Sequence, residues 1–202
     1  MSAVTVATDS RHVEELVRTL SLCFHDDAVV QHFLRQDDRN SEASARFFRL
    51  AVERMSLPYG EVQHTEVAGD VVAVALWVPP GCWSLGLAQQ LRLLRHAVPI
   101  AGRHRLVTAL RGLHHMDRCH PHEPHMYLSF LCTHPEHRGR GLGSQLLRAM
   151  TERCDRQRLP IYLENTKASN EAFYRHHGFE PRGTIPLPGG PSYYLGMWRR
   201  PR

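Results

Sequence analysis

Met126 to Leu147 reads Met-Tyr-Leu-Ser-Phe-Leu-Cys-Thr-His-Pro-Glu-His-Arg-Gly-Arg-Gly-Leu-Gly-Ser-Gln-Leu-Leu, and its reading decides the fold. Met126 to Thr133 is a short run of apolar and β-favouring residues, the length of a buried strand. His134-Pro135 ends it, because proline has no N–H to give to a ladder. Gly139, Gly141 and Gly143 then alternate with Arg140 and Leu142, just ahead of a helical stripe formed by Leu146, Leu147 and Met150. Glycines let the backbone approach a ligand closely and turn several N–H groups toward one point. The helix that follows adds free N–H groups and the positive end of its dipole, a setting for phosphate or pyrophosphate. The same glycines would also serve a bare strand-to-helix turn. Arg138 and Arg140 among them favour the anion site.

The 202 residues suit one domain, 1–202, and 42% of them are hydrophobic, which excludes disorder of the whole chain. The net charge of +5 would help draw an anionic ligand. Charge alone also raises nucleic-acid binding, but the basic residues are spread out and no aromatic-interleaved basic motif accompanies them. Cys23, Cys82, Cys119, Cys132 and Cys154 are odd in number and widely spaced. They read as reduced thiols, so a cytoplasmic location is expected. The first dozen residues include Asp9, Arg11 and His12 rather than an apolar leader core, and no segment is apolar long enough to span a bilayer.

Val4–Ala7 is a short strand candidate, followed by the capping residues Thr8, Asp9 and Ser10. Val13, Leu16, Val17, Leu20 and Phe24 then mark one face of a helix. His25-Asp26-Asp27 is read as a loop. A second helix from about Ser41 carries Phe47, Phe48, Ala51, Val52 and Met55 and stops before Pro58-Tyr59-Gly60. Strands follow at 61–67 and 71–78, with Gly69-Asp70 as hairpin signal. Helical stripes at Leu87, Leu91 and Leu94, and at Val107, Leu110 and Leu113, are separated by Pro99 and form an insertion over 82–124 before the central strand. That insertion is either a substrate-side wall or plain packing on the sheet. His114, His115, His120, His122 and His125 crowd around Cys119, but their spacing matches no structural zinc pattern. The segment is read as a solvated histidine-rich loop, and no metal is expected. A helix over 141–158, a strand over 159–164, a helix over 168–177 closed by Gly178, and strands over 180–185 and 192–198 complete the chain. The order implies an α/β fold: a mixed sheet with helices on both faces.

Arg138-x-x-Gly141-x-Gly143 resembles the acyl-CoA signature of the GNAT superfamily of N-acyltransferases. Asn170 to Phe179 looks like the helix on the other side of that cofactor site. More narrowly, Leu163-Glu164, Asn170, Phe173-Tyr174 and Gly178-Phe179 resemble the puromycin N-acetyltransferase group. The resemblance implies a mostly antiparallel GNAT sheet and transfer of an acetyl group from acetyl-CoA to a primary amine of a small molecule. It implies that backbone groups of Leu131, Cys132 and Thr133 hold the pantetheine arm and polarise the thioester. Backbone N–H groups of Arg138, Gly139, Arg140, Gly141, Leu142, Gly143 and Ser144 would bind the pyrophosphate, and Asn170 would bind from the opposite helix. Tyr174 would be the general acid and Glu164 the candidate base. Read without the resemblance, Tyr174 is a core tyrosine beside Phe173 and Phe179, and Glu164 is a carboxylate at the start of a loop. Asp26, Asp27, Trp77 and Tyr127 are candidates for the acceptor pocket from position alone. A non-catalytic acyl-CoA-binding or regulatory module is the alternative. It would be expected to lack the Tyr174 donor or an intact glycine loop, and both are present. Monomer and homodimer are both left open.

Overall fold

Val71 to Val78 is apolar at every position, and such a run has to be covered on both faces. In the computed structural model, which describes residues 4–7, 12–59, 61–83 and 95–202, it lies near the middle of a seven-stranded sheet. The strands are β1 (Val4–Ala7), β2 (Val62–Val67), β3 (Asp70–Val78), β4 (Met126–Thr133), β5 (Ile161–Asn165), β6 (Glu180–Thr184) and β7 (Leu195–Arg199), in the order β1-β2-β3-β4-β5-β7-β6. Only β4 and β5 pair in parallel; every other neighbouring pair is antiparallel. The sheet is thus mixed and mostly antiparallel, as the sequence implies.

Helices cover both faces. Helix α1 (Val13–Cys23) and α3 (Asn40–Leu50) pack Leu16, Leu20 and Phe48 against Val71, Val74 and Leu76. On the other face, α5 (Leu142–Arg156) packs Leu146, Leu147 and Met150 against Ala73, Ala75 and Trp77, beside Tyr174 from α6 (Glu171–His176). A third cluster joins Phe33 of α2 (Ala28–Phe33) and Ala109 of α4 (Leu106–Cys119) to Ile185, Leu187 and Tyr194. The β2–β3 hairpin turns on Ala68 and Gly69, both at positive φ (55° and 90°), the geometry a tight two-residue turn requires. Among the described residues, no helix is long and apolar enough to cross a membrane.

Several expectations need correction. The loop read at His25-Asp26-Asp27 ends as a helix cap, and residues 28–33, for which the sequence carried no helix reading, form α2: Asp27 Oδ1 accepts from the N–H groups of Val29 (3.1 Å) and Val30 (3.0 Å). Pro99 does not separate two helices. Residues 95–101 are helical through it, and the helix closes at Gly102, whose φ is +73°. Val107, Leu110 and Leu113 are exposed, at 59%, 44% and 52%; α4 buries Ala109 and Gly112 instead. Small residues let this helix lie close against Phe33 and Leu187. Thr8, Asp9, Ser10, Gly60 and the stripe Leu87, Leu91 and Leu94 lie outside the described residues.

Gly112 tests the packing of α4. A Cβ there would lie 2.8 Å from Phe33 Cε1 and 3.2 Å from Leu187 Cδ1, and both neighbours are buried. Alanine gains about 1 kcal/mol of helix propensity over glycine, whereas overpacking costs about 1–3 kcal/mol. Gly112→Ala is therefore expected to lower the thermal midpoint, as measured by circular dichroism.

Candidate active site

Parallel pairing of β4 and β5 stops at Leu128↔Leu163. From there β5 follows β7 through Asn165, whereas β4 stays on β3 through Thr133, so the two strands part. A bulge sits at the parting point. Leu76 opposes Phe130 and Trp77 opposes Leu128, which leaves Ser129 as the extra residue, with its Oγ donating to the Leu76 carbonyl at 3.1 Å. The His134 N–H donates to Val72 O at 2.7 Å, toward β3. Alternation along the strand then turns the backbone groups of Leu131 and Thr133 to the open edge. The N–H of Cys132 points to β3, so Cys132 offers the gap a side-chain wall and no backbone donor. The gap is one end of a cleft of about 700 Å³ that reaches both faces of the sheet.

At its outer end the cleft meets the head of α5. Gly139 and Gly141 both have φ of 76°, and nothing stands within 4 Å of a Cβ placed on either. No side chain caps α5, and its first turn carries no carboxylate. The first main-chain bond there runs from Gln145 N–H to Gly141 O, which leaves the N–H groups of Leu142, Gly143 and Ser144 outside the helix ladder. Arg138 lines the cleft here, and Asn170 lines it from the start of α6. An uncapped helix head with room over two glycines fits the diphosphate of a CoA thioester. The Arg140 guanidinium turns away, with Nη2 donating to Glu136 O at 3.3 Å, so only its backbone belongs to this end.

Tyr174 and Glu164 approach the cleft from opposite faces of the sheet. Tyr174 is 9% exposed, edge-on to Phe173 and Phe179, in the cluster under α5. Burial, then the negative charge of Asp27, push its phenol well above the ordinary tyrosine range, so the proton stays on. Glu164 projects to the other face, its side chain 5% exposed. Tyr127 (3.0 Å) and Tyr194 (2.5 Å) donate to Oε2, and Tyr162 (3.3 Å) donates to Oε1. His120 Nδ1 lies 3.8 Å from Oε1. Burying a carboxylate costs several kcal/mol. Hydrogen bonds to a charged group return about 1.5–3 kcal/mol each, so three donors can hold it there. The phenols of Tyr127, Tyr162 and Tyr194 are all raised, by burial first and then by the Glu164 charge, and remain donors.

The other acceptor-side candidates separate. Tyr127 reaches the cleft through its bond to Glu164. Asp27 lines the cleft, but its oxygens are engaged: Oδ1 caps α2 and Oδ2 accepts from Thr166 Oγ1 at 2.6 Å. Asp26 is exposed, paired with Lys167 at 2.9 Å, and outside the lining. Trp77 is fully buried in the α5-side core, with its indole N–H on Gln63 Oε1 at 3.1 Å, so it cannot meet an acceptor. The histidine-rich segment is not wholly solvated either, since His120 and His125 are buried beside Glu164 and Tyr162. Sequence reasoning missed these two histidines together with Tyr162 and Tyr194. Tyr162 was within reach, being two residues before Glu164 on one strand and therefore on its face. Spacing gave no signal for the other three.

A family profile for the acetyltransferase (GNAT) domain matches residues 105–181. An uncharacterized N-acetyltransferase of Schizosaccharomyces pombe is 24% identical over 190 residues, 89% of this chain and 75% of that one. The crystal structure of histone acetyltransferase HPA2 and related acetyltransferase from Corynebacterium glutamicum is 27% identical, with a TM-score of 0.77 over 100% of this chain and 97% of its own. A polyamine N-acetyltransferase of Drosophila melanogaster shares the fold, with a TM-score of 0.66 at 16% identity over 98% of this chain and 97% of that chain. The parted strands and the open helix head agree with the acetyltransferase (GNAT) domain that the chain matches over residues 105–181. The chain is an acetyl-CoA-dependent N-acetyltransferase.

Burial of His125 makes a pH prediction. Desolvation lowers its imidazole from 6.5 to about 4, so the fold keeps the ring neutral where the unfolded chain would protonate it. The stability this contributes is complete above about pH 6.5 and is lost as pH falls toward 4, at up to about 1.4 kcal/mol per pH unit. Urea unfolding at a series of pH values is expected to show this fall, with a shallower slope in His125→Gln.

Proposed function

We propose that the enzyme transfers the acetyl group of acetyl-CoA to the primary amine of a small molecule that carries one positive charge on an apolar body. The observation that supports this reading is a buried phenol and a buried carboxylate on opposite faces of one gap. Tyr174 stands on the α5 side, Glu164 on the α2 side, and the open edge of β4 lies between them.

Acetyl-CoA supplies the acetyl group as an activated thioester. The N–H groups of Leu142, Gly143 and Ser144, with the loop from Arg138, hold its diphosphate, while Leu131 and Thr133 pair with the pantetheine arm as a strand would. One N–H on that edge donates to the thioester oxygen, where negative charge grows during attack. Tyr174 holds a proton for the departing sulfur, which its raised phenol suits. Glu164 takes the proton that the ammonium must lose before nitrogen can attack.

The acceptor class rests on the lining. Among the described residues, Asp27 and Glu164 are the carboxylates of the cleft, and Asp27 is spent on α2 and Thr166. One carboxylate suits one cation. Val29, Val30, Phe33, Met116 and Tyr194 supply an apolar surface for the rest of the acceptor. A polycation such as a polyamine would leave its further charges facing that surface unpaired. The likeness to the puromycin N-acetyltransferase group also supports a compact amine.

Release of free thiol from acetyl-CoA over a panel of amines tests the reading. Apolar monoamines are expected to turn over faster than polyamines of similar length, and a silent panel or the reverse order would refute it. Tyr174→Phe is expected to lower kcat by about 10²-fold with the KM for acetyl-CoA unchanged. Retention of full activity would remove the phenol from the acid role.

A further inference from the structure

His120 and His125 lie in the short extended link between α4 and β4, 4% and 3% exposed. Their hydrogen bonds determine where each ring carries its proton. His125 Nδ1 is 2.6 Å from the carbonyl oxygen of Glu123, which can only accept, so Nδ1 bears hydrogen. Burial lowers this ring to about 4, and the nearby His120 and Arg182 oppose its protonation further, so near neutral pH its Nε2 is a lone pair. His120 Nε2 lies 3.0 Å from that nitrogen and has to be the donor. Neutral His120 therefore presents the lone pair of Nδ1, and Nδ1 faces Glu164 Oε1 at 3.8 Å.

The ring is held in this pose. Trp83 stacks on it with centroids 3.8 Å apart, and Tyr127 and Tyr162 stand edge-on at 4.8 and 5.0 Å. Glu164 on β5 is the charged group facing His120, with the phenols of Tyr127 and Tyr162 beside it. Around His125 stand Glu123, and Arg182 of β6 stacked 4.6 Å over Trp198. A lone pair aimed at a buried carboxylate is repulsive, and one proton between them turns the contact into an ion pair. The separation exceeds a direct hydrogen bond, so the proton crosses by a small side-chain closure or one bridging water.

We propose that His120 is the proton store behind Glu164, with His125 as the positioning residue that keeps the Nδ1 lone pair of His120 on the carboxylate. The inference rests on the acetyltransferase reading of this site with Glu164 as base. The N–H bond of the acceptor ammonium breaks as Glu164 gains the proton. The new O–H bond then breaks as Nδ1 of His120 gains it, leaving imidazolium beside carboxylate. Glu164 is restored as an anion while the amine attacks, and the proton leaves to solvent after the acetylated product. No other co-reactant is needed.

Two acceptors of one shape test this: a basic amine, and its analogue made weakly basic by fluorine beside the nitrogen, which is already free base in the assay. His120→Gln keeps a donor toward His125 and has no base toward Glu164. It is expected to lower kcat/KM for the basic amine by about 10²-fold and to move that profile to higher pH. The fluorinated amine and the KM for acetyl-CoA are expected to be unaffected. Equal loss for both amines, or none for either, would overturn the proposal. Wild-type protein that acetylates no amine would sink the acceptor reading instead. NMR of the histidine ring nitrogens in the wild-type protein decides the arrangement without a variant. Nε2–H is expected on neutral His120 and Nδ1–H on His125, and the opposite tautomer on His120 would overturn the proposal.

Discussion

The parting of β4 from β5 is the constraint on which the site depends. Both strands are held elsewhere: β4 by β3 through Thr133, and β5 by β7 along its whole length. After Leu128 and Leu163 neither strand can satisfy the other's backbone. A strand edge with free N–H and C=O groups inside a protein is costly unless something pairs with it. The pantetheine arm of CoA, an extended chain of amides, has the groups such an edge would pair with, which is why the proposed donor site lies at the break in the sheet. The Ser129 bulge reverses the alternation of β4 and decides that Leu131 and Thr133 face the gap.

The gap also separates the chemistry. The proposed acid and base would exchange a proton if they were in direct contact, and the gap keeps them apart. Here Tyr174 is embedded among Phe173, Phe179 and the α5 core, where burial keeps its proton on. Glu164 sits on the other face among hydroxyl donors that hold a carboxylate in place. Two different environments are thus reached through one opening.

Much of this was legible in the chain. The eight-residue apolar run before Pro135, the three alternating glycines and the stripe of Leu146, Leu147 and Met150 are local patterns, and local patterns report strands, turns and helices. Where periodicity misled, tertiary contact had overridden it. The Val107, Leu110 and Leu113 stripe promised a buried face, but α4 docks through Ala109 and Gly112 because Phe33 needs the space. Trp77 had the position of a pocket residue and the orientation of a core residue. The histidines near Cys119 looked solvated because prolines surround them, and two of the five are buried.

The sequence by itself determined the fold class, the order of the strands and the glycine-rich head of α5. Each depends on neighbours within a few residues, where hydrophobic period and backbone freedom decide the outcome. Only the tertiary structure decided what surrounds Glu164, because Tyr127, Tyr162, Tyr194 and His120 come from three separate strands or their flanks and one link. Their meeting at one carboxylate depends on strand register and on the direction each side chain takes from the sheet. Neither quantity is written in the spacing of residues along the chain.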